Sequence, residues 1–152
     1  MEKKCAPWVY TLFGFYCACM LWLLFGRRMN PGLLPFPDYL QTHLNLIPFR
    51  TIHLFARLLV PPVRPYLVRI ALRNLLGNIF LFTPLGFFLP TLFPQLRKSW
   101  LSLAAVLIII SCVELTQLVL MVGTCDIDDL LLNVLGAAIG CGLYKLSRRK
   151  RT

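Results

Sequence analysis

The sequence predicts an all-α polytopic membrane protein, with four transmembrane helices and a Pro- and Arg-rich loop between the first and the second. Three observations predict it. Of 152 residues 58% are hydrophobic and only 14% charged, whereas a soluble domain carries about 45–50% apolar and about 25% charged residues. Four apolar runs approach the roughly 20 residues that a helix needs to cross a bilayer. The Lys and Arg residues fall mostly between and beyond those runs. The length suits a single membrane domain over residues 1–152 with no separate soluble one.

The first span is read at 7–25, an uncharged run preceded by Lys3 and Lys4. It leaves through Gly26-Arg27-Arg28 and lacks an A-x-A-like cleavage site, so retention is expected over removal as a signal peptide. The loop 27–73 follows. Pro31, Pro35, Pro37, Pro48, Pro61, Pro62 and Pro65 interrupt any long helix there, and Arg50, Arg57, Arg64, Arg69 and Arg73 recur along it. Within it, 51–60 has the pattern of a short amphipathic helix in the interface, with Arg50 and Arg57 beside Ile52, Phe55 and Leu58. The second span is read at 74–93, and a basic turn with Arg97 and Lys98 leads to the third at 100–122. After Gly123-Thr124-Cys125 comes the fourth at 126–146, closed by Arg148, Arg149, Lys150 and Arg151.

Four spans put both termini on one side. That side holds Lys3, Lys4, Arg97, Lys98, Lys145, Arg148, Arg149, Lys150 and Arg151, against Arg27, Arg28, Arg50, Arg57, Arg64, Arg69 and Arg73 on the other. The positive-inside rule then makes the termini cytoplasmic and the loop 27–73 extracytoplasmic. The acids Asp38, Glu114, Asp126, Asp128 and Asp129 share the loop side and could engage its arginines.

Net charge is +10. No basic groove with interleaved aromatics accompanies it, so membrane lipid, and no nucleic acid, is the expected anionic partner. The six Cys residues show no CxxC spacing, and Cys17, Cys19, Cys112 and Cys141 lie inside apolar runs. They read as buried small apolar residues.

The threading brings a set of polar residues to one depth. Asn74 and Asn78 open the second span, Glu114 and Gln117 lie near the end of the third, and Asp126, Asp129 and Asn133 open the fourth. At 100° per residue Asp126, Asp129, Asn133, Gly136 and Gly140 form one stripe, from which Asp128 points away. Gly136 and Gly140 make a GxxxG pair that admits a close neighbour. An acid such as Glu114 near a helix centre costs about 2.5–3.5 kcal/mol to insert, so it should find partners; Arg50, Arg69 or Arg73 are the donors expected, with Asn78 and Gln117 completing the bonds.

Capping and interhelical bonding also account for some of these residues: Asp126 suits an N-cap, with Asp129 favoured at N3. Glue alone does not need so many ionisable groups, so the whole set is read as a pocket. Pro84 and Gly86 read as a kink or packing notch in the second span. His43 and His53 are not at metal spacing, and Glu114, Asp126 and Asp129 alone fall short of the six or more oxygens that hard cations take. No metal and no cofactor is therefore expected. There is no nucleophile arrangement, P-loop or dinucleotide fingerprint.

Four ordered motifs carry a resemblance. They are Asn45-Leu46-Ile47-Pro48-Phe49; Asn78, Phe82, Pro84 and Gly86 in the order Asn-x-x-x-Phe-x-Pro-x-Gly; Glu114-x-x-Gln117; and Asp126-Ile127-x-Asp129-x-x-x-Asn133-x-x-Gly136. Together they resemble the VanZ-like family of bacterial membrane proteins, over roughly residues 8–146. The resemblance implies a role in resistance to the glycopeptide teicoplanin without remodelling of the peptidoglycan target. It marks Asn45, Pro48, Asn78, Pro84, Gly86, Glu114, Gln117, Asp126, Asp129, Asn133 and Gly136 as motif positions, and leaves Asp128 and Arg50 outside them. Some relatives carry an Arg just before the first Asp, where this chain has Gly123-Thr124-Cys125, so the loop arginines are the candidates to meet the acids here.

The expected function is binding of an envelope ligand, a lipid headgroup or the lipoglycopeptide itself, in an outer-face pocket of a bacterial cell membrane. Asn45, Arg50, Arg73, Asn78, Glu114, Gln117, Asp126, Asp129 and Asn133 are its candidate residues. Two alternatives stay open. One is an enzyme acting on an envelope lipid or cell-wall precursor with Glu114 or Asp129 as general base. The other is a small transporter or accessory subunit, for which four helices would need a homo-oligomer to form a path.

Overall fold

The computed structural model describes residues 6–26, 34–62 and 64–149. Lys3, Lys4, Arg27, Arg28, Lys150 and Arg151, which entered the charge comparison, lie outside the described residues. The elements are α1 (Pro7–Leu21), continued by a π turn (Trp22–Gly26), then α2 (Phe36–His43), β1 (Leu44–Asn45), α3 (Arg50–Arg57), α4 (Pro65–Leu92), a 3₁₀ turn (Pro94–Leu96), α5 (Ser99–Val119), β2 (Cys125–Asp126) and α6 (Ile127–Arg149). Four helices are long and apolar enough to cross a membrane: Pro7–Gly26, Pro65–Leu92, Ser99–Val119 and Ile127–Arg149.

Helix α4 begins nine residues before the expected span. Pro65 stands at the helix start, where its fixed φ is favourable and its missing N–H costs nothing. At 1.5 Å per residue its 28 residues reach about 42 Å, against about 30 Å of hydrocarbon. The first turns, with Arg69 and Arg73, therefore stand above the span proper. The loop 27–73 is accordingly not free of helix, because α2, α3 and the start of α4 lie within it. Helix α2 starts despite Pro35 and Pro37 because both sit at its first turn, where Pro is tolerated.

The closest pair is α4 and α6. Asn78 meets Asp129. Beyond that bond on both helices, a Cβ added to Gly136 would stand 2.2 Å from Ile79 O and one added to Gly140 2.0 Å from Thr83 O. A Cβ on Gly86 would stand 2.0 Å from Ala137 O. Contacts that advance together along both chains make the two helices parallel, with backbones touching where glycine removes the side chain. Gly86 is thus a packing notch on α4, and the helix continues through Pro84 and Pro90.

The core joins Met20 of α1, Phe82, Leu85 and Leu89 of α4, Val106 and Ile110 of α5 and Ala137 of α6. Tyr16 ties α1 to α4 by donating its hydroxyl to Leu81 O at 2.7 Å. Many apolar side chains point outward, among them Phe15, Phe80, Ile108 and Ile139. In a spanning helix that outward face meets lipid, so its exposure has no hydrophobic cost.

The same logic corrects the expectation for the cysteines. Among the described residues only Cys141 is buried, with its Sγ 3.2 Å from Gly86 O. Cys17 and Cys125 are half-buried, while Cys19 and Cys112 are exposed. Apolar character in a span selects the bilayer as readily as the protein interior.

Candidate functional site

At one end of the bundle, helix ends and connectors leave backbone groups without partners, and side chains from distant elements satisfy them. Helix α3 starts at Phe49, which is left-handed (φ 63°) and offers no cap of its own. Asp128 supplies the cap from α6. Its Oδ1 accepts the Phe49 N–H, and its Oδ2 accepts the N–H groups of Thr51 at 2.7 Å and Ile52 at 3.0 Å. The carboxylate is wholly buried, at 0% exposure.

Asp126 works beside it. Its Oδ1 accepts the Asp128 N–H at 2.8 Å, which caps α6, and the Asn45 Nδ2–H at 3.1 Å. Its Oδ2 accepts the Thr51 hydroxyl. Asn45 also donates to Thr51 Oγ1 at 3.1 Å and accepts the Ile47 N–H at 3.3 Å. Leu44–Asn45 and Cys125–Asp126 lie side by side as a two-residue parallel ladder. The Asn45 to Phe49 motif, with Pro48 in its turn, is therefore a clasp that fastens the long connector to the start of α6. Tyr39 adds a hydroxyl bond to Gly123 O and stacks on His43 with centroids 3.8 Å apart.

Two further bonds knit the bundle end. Gln117 donates its Nε2–H to Leu24 O at 2.7 Å, satisfying a carbonyl of the π turn. Glu114 Oε2 accepts the Asp126 N–H at 3.4 Å. Beside these bonds a cavity of about 720 Å³ opens, lined by Leu23 and Leu24 from the end of α1's π turn, by Arg73, Asn74, Gly77, Asn78, Phe80 and Leu81 of α4, by Glu114 and Gln117 of α5 and by Asp129 and Asn133 of α6. A second cavity of about 760 Å³ lies towards the connector; Asn74 and Asp129 border both, and Tyr39, His43, Thr51 and Asp126 border this one.

The structure thus brings Arg73, Asn78, Glu114, Gln117, Asp129 and Asn133 to one cavity. It does not bring Asn45 or Arg50 there. Asn45 works in the clasp, and Arg50 opens α3 with an exposed side chain that borders neither cavity. Asp126 borders the second cavity only. The expected arginine partners of Glu114 are corrected too, since Arg50, Arg69 and Arg73 are exposed and form no ion pair with it. Projecting from the first turns of α4 and α3 into water leaves them hydrated, which costs nothing comparable to burial. Asn78 bonds Asp129 and Gln117 bonds a backbone carbonyl, so neither completes the bonding of Glu114.

Helical periodicity turns Asp128 away from the stripe, yet it is the most buried acid among the described residues. It points at a helix N-terminus 76 to 79 residues earlier in the chain, and Asp126, expected on the stripe with Asp129, bonds the same region through Thr51, whereas Asp129 meets Asn78. Thr51 and Tyr39 were missed for the same reason. The signal available was Asp126-x-Asp128 beside a helix start, since short acids gather at N-termini.

One polar atom of the main cavity stands apart. Asn133 is 3% exposed, and its Oδ1 accepts no hydrogen bond among the described residues. Nearby, burial and then the Glu114 and Asp126 carboxylates push the Cys125 thiol above its ordinary pKa. Among the described residues no group of three His, Cys, Asp or Glu has metal-holding geometry.

The VanZ/LLP1 family model matches residues 13–148. Protein VanZ of Enterococcus faecium is 28% identical over 140 residues, covering 91% of this chain and 74% of that protein. No solved structure matches.

Proposed function

The chain belongs to the VanZ/LLP1 family, and from that premise we propose that it binds an envelope ligand in its main polar cavity and thereby contributes to glycopeptide resistance of the teicoplanin type. The observation that carries the reading is the cavity of about 720 Å³ to which all four spanning helices contribute and where Asn78, Glu114, Gln117, Asp129 and Asn133 meet. Ligand sites are concave and combine apolar walls with converging polar groups, and this cavity joins Leu23, Leu24, Phe80 and Leu81 to a larger set of polar side chains. With the termini cytoplasmic, as the Lys and Arg distribution favours, the cavity opens at the outer face, where a lipid headgroup or a lipoglycopeptide is encountered.

Binding is favoured over catalysis by the lining. Among the described residues no hydroxyl, thiol or imidazole borders the main cavity. A carboxylate base would have to act there with no protein nucleophile beside it.

The test uses Glu114→Gln and Asp129→Asn, each checked for wild-type abundance in the membrane. Both are expected to lose most of the teicoplanin protection conferred by the wild-type chain and to weaken ligand binding by purified protein. Wild-type protection together with wild-type binding in both variants would overturn the proposal.

A further inference from the structure

The connector between the first two spanning helices is held at a definite depth. The Phe49, Thr51 and Ile52 amides bond Asp128, and Asn45 bonds Asp126. Both acids stand at the start of α6, within one turn, or about 5 Å, of where that span begins. The turn 46–49 and the first turn of α3 therefore lie level with the entry of α6 into the bilayer, which is the headgroup layer.

At that depth the apolar side of α3 is already spent on the protein. Ile52, Phe55 and Leu58 are half-buried on one side of the helix, which packs on α4 and α6. Arg50, His53, Leu54 and Arg57, at the spacing of a single helix face, are exposed on another. Apolar contact with the surroundings falls instead to the turn before α3, where Leu46, Ile47 and Phe49 are 62%, 58% and 63% exposed. Among the described residues Arg50 and Arg57 have no ion pair. The two acids that hold this segment, Asp126 and Asp128, are buried with their oxygens on amide and clasp groups, so they leave the outward charge of the arginines uncompensated.

We infer that the turn 46–49 and the outward face of α3 form a docking surface for anionic phospholipid, with Leu46, Ile47 and Phe49 among the acyl chains and the guanidiniums of Arg50 and Arg57 on headgroup phosphates. Exposed apolar side chains beside free cations, all at one depth, complement the boundary between acyl chains and phosphates. A guanidinium can hold a phosphate through two N–H groups. A glycerol headgroup leaves that phosphate's charge open to it, whereas choline brings a cation of its own. None of these five residues borders either cavity, so the surface goes beyond the proposed function and does not depend on it.

The test uses the full chain in liposomes, with its native cysteines replaced by Ser and an environment-sensitive fluorophore on Ile47→Cys. A nitroxide carried high on the acyl chain of a phosphatidylcholine reports lipid contact, and acrylamide, which is uncharged, reports contact with water. Replacing about a third of the phosphatidylcholine by phosphatidylglycerol is expected to raise nitroxide quenching and lower acrylamide quenching by at least about twofold, and high salt should reverse most of the change. Arg50→Gln combined with Arg57→Gln should abolish the response. Arg64→Gln should keep it, because that variant removes a like charge from an exposed position about 21 Å along the α4 axis from Asn78.

Native mass spectrometry of unlabelled protein gives an independent reading. There the double variant should lose about fivefold of the preference for phosphatidylglycerol over phosphatidylcholine for each arginine removed. A label indifferent to phosphatidylglycerol overturns the inference, as does a response that survives the double variant or is lost equally in Arg64→Gln. Undiminished lipid preference in the double variant overturns it too. A label that responds to soluble polyphosphate and not to phosphatidylglycerol would assign the arginines to a soluble polyanion and refute the lipid surface.

Discussion

Replacing Asp128 with Ala removes the acceptor of three amide protons at once, and all three belong to a helix start that has no other cap. Hydrogen bonds to charged groups contribute about 1.5–3 kcal/mol each and are not additive, so a loss of at least about 3 kcal/mol is expected. Thermal unfolding in detergent would register it as a clear fall in midpoint, while Asp38→Asn, at an exposed acid, should stay within about 0.5 kcal/mol of wild type. A midpoint for Asp128→Ala equal to that of Asp38→Asn would refute the capping role. Cys125 offers a second residue-scale check. Only the thiolate reacts with maleimide, and its pKa is raised, so at neutral pH the reactive fraction is below that of an ordinary thiol. Its labelling should be slower than that of a cysteine placed at the exposed neighbour by Thr124→Cys in a Cys125→Ser background. The rate should keep climbing with pH above about 8.5, where an ordinary thiol levels off. Equal rates and equal pH profiles would contradict the raised value.

Among elements, the α4–α6 pair carries the strongest demand on sequence. A methyl at Gly140 would need the space of Thr83 O, and one at Gly136 that of Ile79 O. Gly140→Ala should therefore push the helices apart and destabilise by about 1–3 kcal/mol, the usual cost of overpacking. Gly142→Ala and Gly77→Ala meet nothing within 4 Å and should be neutral or slightly stabilising in the same melting experiment. This pair was legible in advance, because GxxxG on a spanning helix states a close approach without naming the partner. The start of α4 was not legible, since Arg69 and Arg73 dilute the apolar run and look like loop. Helix geometry shows instead that charged turns can extend a span beyond the hydrocarbon. The clasp was half legible: its motif residues stood out, but their bonding to β2 and α6 joins positions some 80 residues apart, which no local periodicity encodes.

Across the whole molecule, four alternating spans suffice to gather the polar ends of α4, α5 and α6, and that much follows from apolar run lengths and short turns. Which of the gathered residues are spent on the protein itself does not follow. Asp126, Asp128, Asn45 and Gln117 bond backbone or clasp groups, whereas among the described residues the buried Asn133 Oδ1 on the wall of the main cavity has no hydrogen-bond partner. Sequence treats all of them but Asp128 as equal candidates, because a cap and a ligand contact draw on the same short polar side chains. The claim on which function depends is that this end of the bundle, with its cavity, faces the cell exterior. Asn74 borders both cavities, so Asn74→Cys in a chain whose native cysteines are replaced by Ser reports on that face. Intact cells treated with a membrane-impermeant maleimide should label this cysteine without permeabilisation. Labelling that appears only after the cells are opened would place the cavity on the cytoplasmic side and contradict the account.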